Sequence, residues 1–427
     1  MTATYPQYID ADSQWLDKIP MHWRVARLDH VAEAWPSNVD KHVVEGEQPV
    51  RLCNYTDVYK NPSILEGMDF MVATASPEQI KRFRIAVGDT LLTKDSETAD
   101  DIGVPAYVEY EAPDLLCGYH LSIVRPRPGA ANPKFLYWAL TAGPTLGQWE
   151  VLASGVTRVG IRSGDLAKVA LALPTVPEQR AIADYLDRET ARIDTLIEEQ
   201  QRLIGILRER RLAVLAEASD VEAAATRLGL MLDGIKDGTH GTFARTAPPE
   251  GRPLLGARNV MDGHLAIDGE ESFISDADAE AITSNGFPRS GDVLLVIVGA
   301  TIGKTAVYEE DMRHAFQRSV AFLRPSAALD PYFLWYQIQS ARFQDELALR
   351  SKTSAQPGIY LGDVASIPVR VPPLDVQLRI VRDLNQQFTK INTLITEAER
   401  FIELARERRS ALITAAVTGQ IDVHVAA

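Results

Sequence analysis

The sequence predicts an α+β protein with two β-rich globular domains and two long antiparallel helices that pair as a coiled coil. The prediction rests on an internal duplication that would give the molecule a pseudo-twofold form. The segment "RIDTLIEEQQRLIGILRERR", Arg192 to Arg211, returns 198 residues later as "KINTLITEAERFIELARERR", with eleven of twenty positions identical. Each copy follows a stretch of short, apolar, β-type runs separated by turn residues. One unit, consisting of a β-rich part and then a long helix, therefore occurs twice.

The repeat extends beyond the long helix. An offset of 198 residues holds without a gap from Gly160 to Leu215, so that "GIRSGDLAKV" lies over "GIYLGDVASI". Upstream, "PKFLYW" answers "PYFLWY", and "VGDTLLT" answers "SGDVLLV" at a slightly larger offset. The predicted boundaries are 1–172 and 218–371 for the globular domains, 173–217 and 372–418 for the helices, and 419–427 for a tail.

Within each globular part, the runs "DTLLTK", "LSIVRP", "DVLLVIVG" and "SVAFLRP" have the composition of strands. A short helix is predicted after each of Asn132–Pro133 and Asp330–Pro331. Asn or Asp is a favoured N-cap, and Pro is favoured at the first helical position.

The long helices show apolar residues at a spacing of three and four, which is typical of a helix with one apolar face. The predicted pairing positions are Ile182, Leu186, Ile193, Leu196, Leu203 and Leu207 in the first copy, and Ile380, Leu384, Ile391, Leu394 and Phe401 in the second. About 38 residues at about 1.5 Å each give a rod of roughly 55–60 Å. Such a rod exceeds the diameter of one domain, so we expect the two helices to pair with each other and to separate the domains.

Composition narrows the functional classes. The chain of 427 residues is 46% apolar and 24% charged, as in ordinary globular proteins. Cys53 and Cys117 lack the spacing of metal ligands, the N-terminus lacks the features of a secretory signal, and the longest apolar run is too short to span a bilayer. We therefore expect a cytoplasmic protein without metal, cofactor or membrane association. The net charge of −14 argues against a strongly basic nucleic-acid-binding surface.

Three motifs resemble catalytic signatures without matching them. "GATIGKT", Gly299–Thr305, has three residues between its glycines, whereas a phosphate-binding loop needs four. "NPKF" and "DPYF" lack the second proline of an aminomethyltransferase motif, and helix capping explains them. His240 has no partners at metal-ligand spacing. The sequence therefore predicts no catalytic residues.

Several stretches, taken together and in order, resemble the specificity (S) subunit of type I restriction-modification enzymes. They are "WLDKIPMHWRVARL", "VPEQRAIADYLD", "IKDGTHGT", "VGATIGKTAV" and "ALITAAVTGQIDV", combined with the duplicated long helix that ends in "RERR". The resemblance covers nearly the whole chain.

The resemblance implies a DNA-recognition subunit without chemistry of its own. Each globular domain would read one half of a bipartite, asymmetric target in double-stranded DNA, and the helical rod would set the spacer between the halves. The helices would also dock two methyltransferase (M) subunits, and through them the restriction (R) subunits. The alternative is a duplicated protein–protein adaptor with no role on DNA.

Polar residues in loops between strands are the predicted DNA contacts, because Arg and Lys bind guanine or phosphate and Asn and Gln bind adenine. In the first copy these are Lys94, Ser96, His120, Arg158 and Arg162; in the second they are His240, Thr242, Arg258, Asn259, Lys304, Gln317, Arg318, Lys352 and Gln356. The clusters Arg208–Arg211 and Arg406–Arg409 have three interpretations: a DNA patch, a complement to the helix dipole, or a surface that faces the M subunits.

Overall fold

The computed structural model describes residues 4–247, 250–351 and 357–426. The chain divides into two units. Unit 1 consists of residues 1–200 and 400–427, and unit 2 consists of residues 201–399. Both units contain helices and sheets, which confirms the predicted α+β fold class.

The α-helices are α1 Leu28–Val31, α2 Tyr55–Lys60, α3 Pro77–Phe83, α4 Pro133–Thr141, α5 Gly143–Leu152, α6 Ser163–Leu166, α7 Val176–Ser219, α8 Asp276–Thr283, α9 Pro331–Gln339, α10 Ala341–Arg350, α11 Leu361–Ser366, α12 Leu374–Val417 and α13 Val423–Ala426. Short 3-10 helices span Ala99–Asp101, Leu228–Met231 and Ala257–Asn259.

The strands of unit 1 are β1 Tyr8–Ser13, β2 Leu16–Pro20, β3 Arg24–Arg27, β4 Ala32–Pro36, β5 Gln48–Cys53, β6 Ser63–Ile64, β7 Met71–Ala75, β8 Thr90–Thr93, β9 Asp95–Ser96, β10 Pro105–Val108, β11 Leu115–Cys117, β12 Leu121–Pro126, β13 Val159–Gly160 and β14 Ala170–Leu173. Those of unit 2 are β15 Ala225–Arg227, β16 Leu232–Asp237, β17 Arg252–Leu255, β18 Val260–Met261, β19 His264–Leu265, β20 Ser272–Ile274, β21 Val293–Val296, β22 Thr305–Val307, β23 Ala315–Phe316, β24 Val320–Pro325 and β25 Pro368–Arg370.

The sheets of the two units follow the same plan. Unit 1 has a five-stranded sheet of order β4-β12-β8-β10-β6 and a three-stranded sheet of order β11-β5-β7. Unit 2 has a four-stranded sheet of order β16-β24-β21-β22 and a three-stranded sheet of order β20-β17-β23. In the larger sheet of each unit, the first four strands in these orders pair antiparallel. In the smaller sheets, the pairs β5–β11 and β17–β23 are parallel. The duplication in sequence is therefore a duplication of topology.

One glutamine explains how each long helix is attached to its unit. Gln179, near the start of α7, donates from its amide to the Pro174 carbonyl at 3.0 Å and accepts from the Asn132 backbone N–H at 2.7 Å. Gln377, near the start of α12, makes the same bonds to Pro372 and Asp330 at 2.7 and 2.8 Å. Both glutamines are buried. Because Asn132 and Asp330 cap α4 and α9 through their side chains, each glutamine links the two helix starts.

The two long helices pair antiparallel within each unit. In unit 1, the first part of α7 shares a core with the end of α12, and Asp194 accepts from Arg409 at 2.9 Å. In unit 2, the end of α7 packs against the start of α12, where Arg211 lies over the Phe388 ring at 4.8 Å. Each helix has 44 residues, with bounds within three residues of the predicted helical segments. The predicted domain boundaries stay a prediction.

The helix seam differs from the predicted set of residues. Ile182, Leu186, Ile193, Leu207, Leu384 and Ile391 are buried and Ile380 is half-buried, whereas Leu196, Leu203, Leu394 and Phe401 are exposed. Ala398 and Ala405, which share the predicted spacing, are also buried, and the buried positions that were not predicted include Ile204, Val381, Phe388 and Ile402. The reason is geometric, because spacings of three and four fit several neighbouring rows on a helix and the partner helix selects only one of them.

Candidate nucleic-acid interface

In unit 1, several of the predicted residues meet at one edge of the β-rich part. The short strands β9 and β13 pair so that Ser96 faces Val159 and Asp95 faces Gly160. The backbone N–H of Lys94 donates to the His120 carbonyl at 3.0 Å, and that of Ile161 donates to the Lys94 carbonyl at 2.9 Å. Segments distant in sequence therefore present adjoining side chains.

Lys94, Asp95 and His120 form a charged network at this edge. One carboxylate oxygen of Asp95 lies 2.6 Å from Lys94 Nζ and 2.7 Å from His120 Nδ1. Burial acts to raise the pKa of Asp95, but the bonds from Lys94 and His120 outweigh it, and the pKa is lowered. Lys94 also lies over the Tyr119 ring at 4.9 Å. The network fixes the orientation of two donors that could meet a phosphate or a base.

The remaining predicted residues of unit 1 differ in accessibility. Arg158 and Arg162 are exposed, and no described residue forms an ion pair or hydrogen bond with either side chain. Ser96 is only 3% exposed, with its hydroxyl 3.4 Å from Asp101, so it supports the edge from beneath.

Two tyrosines beside this edge were not among the predicted residues. The rings of Tyr55 and Tyr59, one helical turn apart on α2, are stacked with centroids 5.5 Å apart. Tyr59 donates to Asp101 at 3.0 Å, and burial raises the pKa of Tyr55 while Ser96 and Arg158 act in the opposite direction. The available signal was aromatic residues four apart in "NYTDVYK", a pattern that ordinary helix packing also produces.

Unit 2 builds the equivalent edge from different side chains. Val298 bridges to Gly358 where unit 1 pairs Asp95 with Gly160. A cleft of about 440 Å³ opens here, lined by Arg258, Gln317, Ser319 and the loop Val298–Thr301, among others. Arg258 donates to Asp268 at 2.9 Å and remains half exposed, and Gln317 is exposed. These two side chains can reach a ligand in the cleft.

Asn259, another predicted contact, is buried within its own loop. It is 3% exposed, and its amide donates to the Ala266 carbonyl and to Glu271, both at 2.9 Å. Its carbonyl oxygen accepts from the Gly256 backbone N–H at 2.9 Å. All of its hydrogen-bonding groups are used to hold the loop, so the side chain is structural.

His240 and Thr242 lie on an exposed loop that joins the same edge. Thr239 bridges to Gln317, and the Arg318 backbone N–H donates to the Thr239 carbonyl at 3.0 Å. His240 Nε2 lies 2.7 Å from Asp237, and Arg318 is exposed.

Among the predicted residues of unit 2 that the structure describes, Lys304 lies apart from this group. Lys304 lines a different cleft, which also includes Arg208 and Arg211 of α7. Lys352 and Gln356 lie outside the described residues.

The parts of the chain that the structure describes also bear on metal sites, reactive thiols and membrane spans. No group of three or more His, Cys, Asp and Glu side chains among these residues could hold a metal ion. Cys53 and Cys117 are buried free thiols, and burial raises the pKa of both. Of the described helices, none combines the length and the apolar character that crossing a bilayer requires.

Comparison with known proteins gives consistent matches. A family model described as the type I restriction modification DNA specificity domain matches residues 275–404. The EcoBI specificity subunit of Escherichia coli is 24% identical over 317 residues, which cover 68% of this chain and 66% of that protein. The EcoDI specificity subunit of the same organism is 22% identical over 330 residues, covering 69% and 71%. The alignments thus span about two thirds of these relatives' lengths.

Solved structures agree in fold. A chain from a structure described as the basis of complex assembly and conformational transition of the type I R-M system has a TM-score of 0.75 and 19% identity, covering 94% of this chain and 99% of that one. The HsdS subunit from Thermoanaerobacter tengcongensis has a TM-score of 0.58 and 18% identity, covering 94% and 98%.

Proposed function

We propose that this chain is a specificity subunit of a type I restriction-modification system, as the matching family model and the similar proteins indicate, and that it recognises DNA in the following way. Each unit reads one half of a bipartite double-stranded target. The protein carries out no chemistry itself; the associated M subunits methylate the DNA, and R subunits join the complex through them. We place the protein in the cytoplasm, where its double-stranded DNA target would be found.

The observation that carries this proposal is the pair of equivalent edges. Both units present side chains at the same topological position, next to the strand pairing around Gly160 and Gly358. The sets of side chains differ in composition: unit 1 presents Lys94, His120 and Arg158, and unit 2 presents Arg258, Gln317 and Arg318. Equivalent placement with different chemistry suits a target whose two halves have different sequences.

Particular roles follow from the chemistry of these groups. Arg258 and Arg158 are suited to the O6 and N7 acceptors of guanine, and Gln317 to adenine, because each can make two parallel hydrogen bonds in the major groove. Lys94 and His120, oriented by Asp95, are suited to the phosphates that flank the bases.

The long helices supply the docking surface and the spacer in this proposal. Apolar side chains that the helix pair leaves exposed support docking of two M subunits: Leu196, Phe401 and Leu404 in unit 1, and Leu203, Ile206 and Leu394 in unit 2. Contiguous exposed apolar surface commonly marks protein interfaces. Helices of 44 residues, about 66 Å long at about 1.5 Å per residue, set how many bases stay unread between the halves.

Methylation mapping tests the proposal. The chain is co-expressed with its cognate methyltransferase subunit in a host without adenine methylation, and modified adenines are mapped across the genome. We expect one split motif that disappears when this chain is omitted. Replacing residues 218–371 with those of another family member should change one half of the motif only. Methylation that proceeds identically without this chain would overturn the assignment and favour the adaptor alternative.

A further inference from the structure

Unit 2 contains a basic cleft beside its long helices. The cleft has a volume of about 630 Å³ and lies among the end of α7, the middle of α12 and the loop Ile302–Lys304. Its polar lining includes Arg208, Arg211, Lys304, Gln339, Gln344 and Asn392. Of the described residues that line it, Asp262 is the one acid. Positive charge is therefore concentrated in one place on a chain whose net charge is −14.

The corresponding position of unit 1 is neutralised by carboxylates on α7. Asp194 accepts from Arg409 at 2.9 and 3.3 Å, and Asp187 accepts from the Trp138 indole at 2.8 Å. The Arg409 guanidinium also lies 5.7 Å from the Trp138 ring. In unit 1 the arginine is thus paired with a carboxylate and covered by an aromatic ring.

The repeat shows which side chains change between the units. At the offset of 198, Arg409 corresponds to Arg211, whereas Asp194 and Asp187 correspond to Asn392 and Asn385. Asn385 keeps the structural role of its counterpart, because it accepts from the Tyr336 hydroxyl at 2.6 Å. Both carboxylates have become neutral amides, so this helix surface in unit 2 has lost two negative charges.

A third change adds a positive charge. The two units have an equivalent turn at a glycine. In unit 1 the Gly103 backbone N–H donates to the Thr93 carbonyl at 2.9 Å, and in unit 2 the Gly303 backbone N–H donates to the Val296 carbonyl at 3.0 Å. The next residue is Val104 in unit 1 and Lys304 in unit 2. Lys304 therefore stands where unit 1 has a valine.

The cations of the cleft lack strong partners. Among the described residues, neither Arg211 nor Lys304 has a carboxylate within ion-pair distance, and the Arg211 guanidinium lies over the Phe388 ring. Arg208 lies 3.6 Å from Glu399, but both side chains are more than half exposed, and such pairs are weak. The amides of Gln339 and Asn392 add hydrogen-bond donors nearby.

We propose that this cleft binds a backbone phosphate of the DNA target, so that unit 2 holds the duplex by an electrostatic contact that unit 1 does not make. This inference rests on the proposed function. The loop that follows β21 supports DNA over an acidic protein segment: its residues Val298–Thr301 line the candidate base-reading cleft, and the next residues, Ile302–Lys304, line the basic cleft. A phosphate contact positions the duplex and carries no sequence information.

The structure of unit 1 suggests a minimal test. Asn392→Asp would give Arg211 the carboxylate that Asp194 gives Arg409, at almost no change in size. In the complex with M subunits, we expect Asn392→Asp and Lys304→Gln each to weaken binding of both a target duplex and a scrambled duplex about tenfold. The slope of log affinity against log salt should fall by about one, as for one lost phosphate contact. Binding is measured by fluorescence anisotropy across a salt series.

A matched control separates a local effect from a change in net charge. Gln386→Glu adds the same charge at an exposed position of α12 outside the cleft, and we expect it to leave the salt slope unchanged. Thermal unfolding verifies that all variants fold. Unchanged affinity and slope in both cleft variants would overturn the proposal, and so would loss of M-subunit co-purification with intact DNA binding. If the wild-type complex does not prefer its mapped target over the scrambled duplex, the proposed function fails. The phosphate contact is tested separately, by the affinity of each variant for the scrambled duplex.

Discussion

At the scale of single residues, an arginine paired with a buried carboxylate anchors each unit. Arg125 donates two hydrogen bonds to Asp89, and Arg324 donates two to Asp292, at 2.6–2.8 Å. The two carboxylates, whose side chains are 1–2% exposed, also accept from the backbone N–H groups of Ala86 and Arg289. These residues belong to the repeated "GD" and "RP" motifs. The motifs were visible in the sequence, but their mutual contact depends on pairing between strands distant in the chain.

We expect Arg324→Leu to destabilise unit 2 by about 3–5 kcal/mol, because it leaves the Asp292 carboxylate buried without its partner. Amide hydrogen exchange of β21 and β24 would measure the loss. The double replacement Asp292→Leu/Arg324→Leu should cost less than Arg324→Leu alone. An equal or larger cost for the double variant would show that the ion pair itself, rather than the orphaned charge, dominates.

Arg158 gives a functional prediction at the same scale. Arg158→Ala should weaken specific DNA binding by about 1–3 kcal/mol, the size of a lost base contact, while leaving the unfolding temperature unchanged because the side chain is exposed. The control is Arg127→Ala, since Arg127 already pairs with Glu33. Target methylation kinetics provide the readout, and equal rates for wild type and Arg158→Ala would remove Arg158 from the interface.

The side-chain exposure of two adjacent residues, Arg258 and Asn259, could not be predicted from the sequence. Arg258 and Asn259 have equal claims as DNA contacts in the sequence, yet Arg258 is half exposed and Asn259 is buried in hydrogen bonds to its own loop. Both residues lie in the short 3-10 helix Ala257–Asn259, in which neighbouring side chains point in different directions. The local sequence does not determine which of these side chains faces solvent. Tyr55 and Tyr59 were missed for a related reason, since their position beside Ser96 depends on tertiary contacts.

At the scale of elements, the long helices were the most predictable part. Their existence, lengths and antiparallel pairing followed from the repeat and from apolar spacing, and their starts are fixed by the buried Gln179 and Gln377. Which apolar rows face the partner helix could not be predicted, because adjacent rows have similar composition. Strand order was not predicted either, since short strands pair across long stretches of chain.

Two leucine-sized residues on α12 test the seam. Ile391 is 7% exposed and Leu394, three residues later, is 46% exposed. Ile391→Ala should cost about 2–4 kcal/mol of unfolding free energy, as large-to-small changes in a core do, whereas Leu394→Ala should stay within about 0.5 kcal/mol. Urea denaturation of the two variants gives the comparison; similar costs would place both residues in the same environment.

At the scale of the whole molecule, net charge and duplication act together. A chain with net charge −14 that carries only local basic positions has little long-range attraction for DNA. The M subunits would therefore have to supply most phosphate contacts. Sequence alone indicated two related readers, and the family comparisons support that function, but the target bases depend on side-chain placement in loops that differ between the units.

We therefore expect the chain without M subunits to bind its target duplex at least about a hundredfold more weakly than the complex at physiological salt, with a shallower salt slope because it releases fewer counterions. Anisotropy measurements on both preparations, with the same duplex, decide this. Nanomolar specific binding by the chain alone would contradict it.

The way in which unit 1 is assembled from the chain has a consequence for synthesis on the ribosome. Its core contains Tyr5 and Trp23 together with Ile413 and Ile421, and Tyr8 donates to the Gly419 carbonyl at 2.9 Å. These later residues are translated after all of unit 2, which is one continuous stretch. Domains generally fold as units while the chain emerges. The reader that is translated first must therefore be completed last, so premature termination beyond residue 399 would spare the second reader and disable the first.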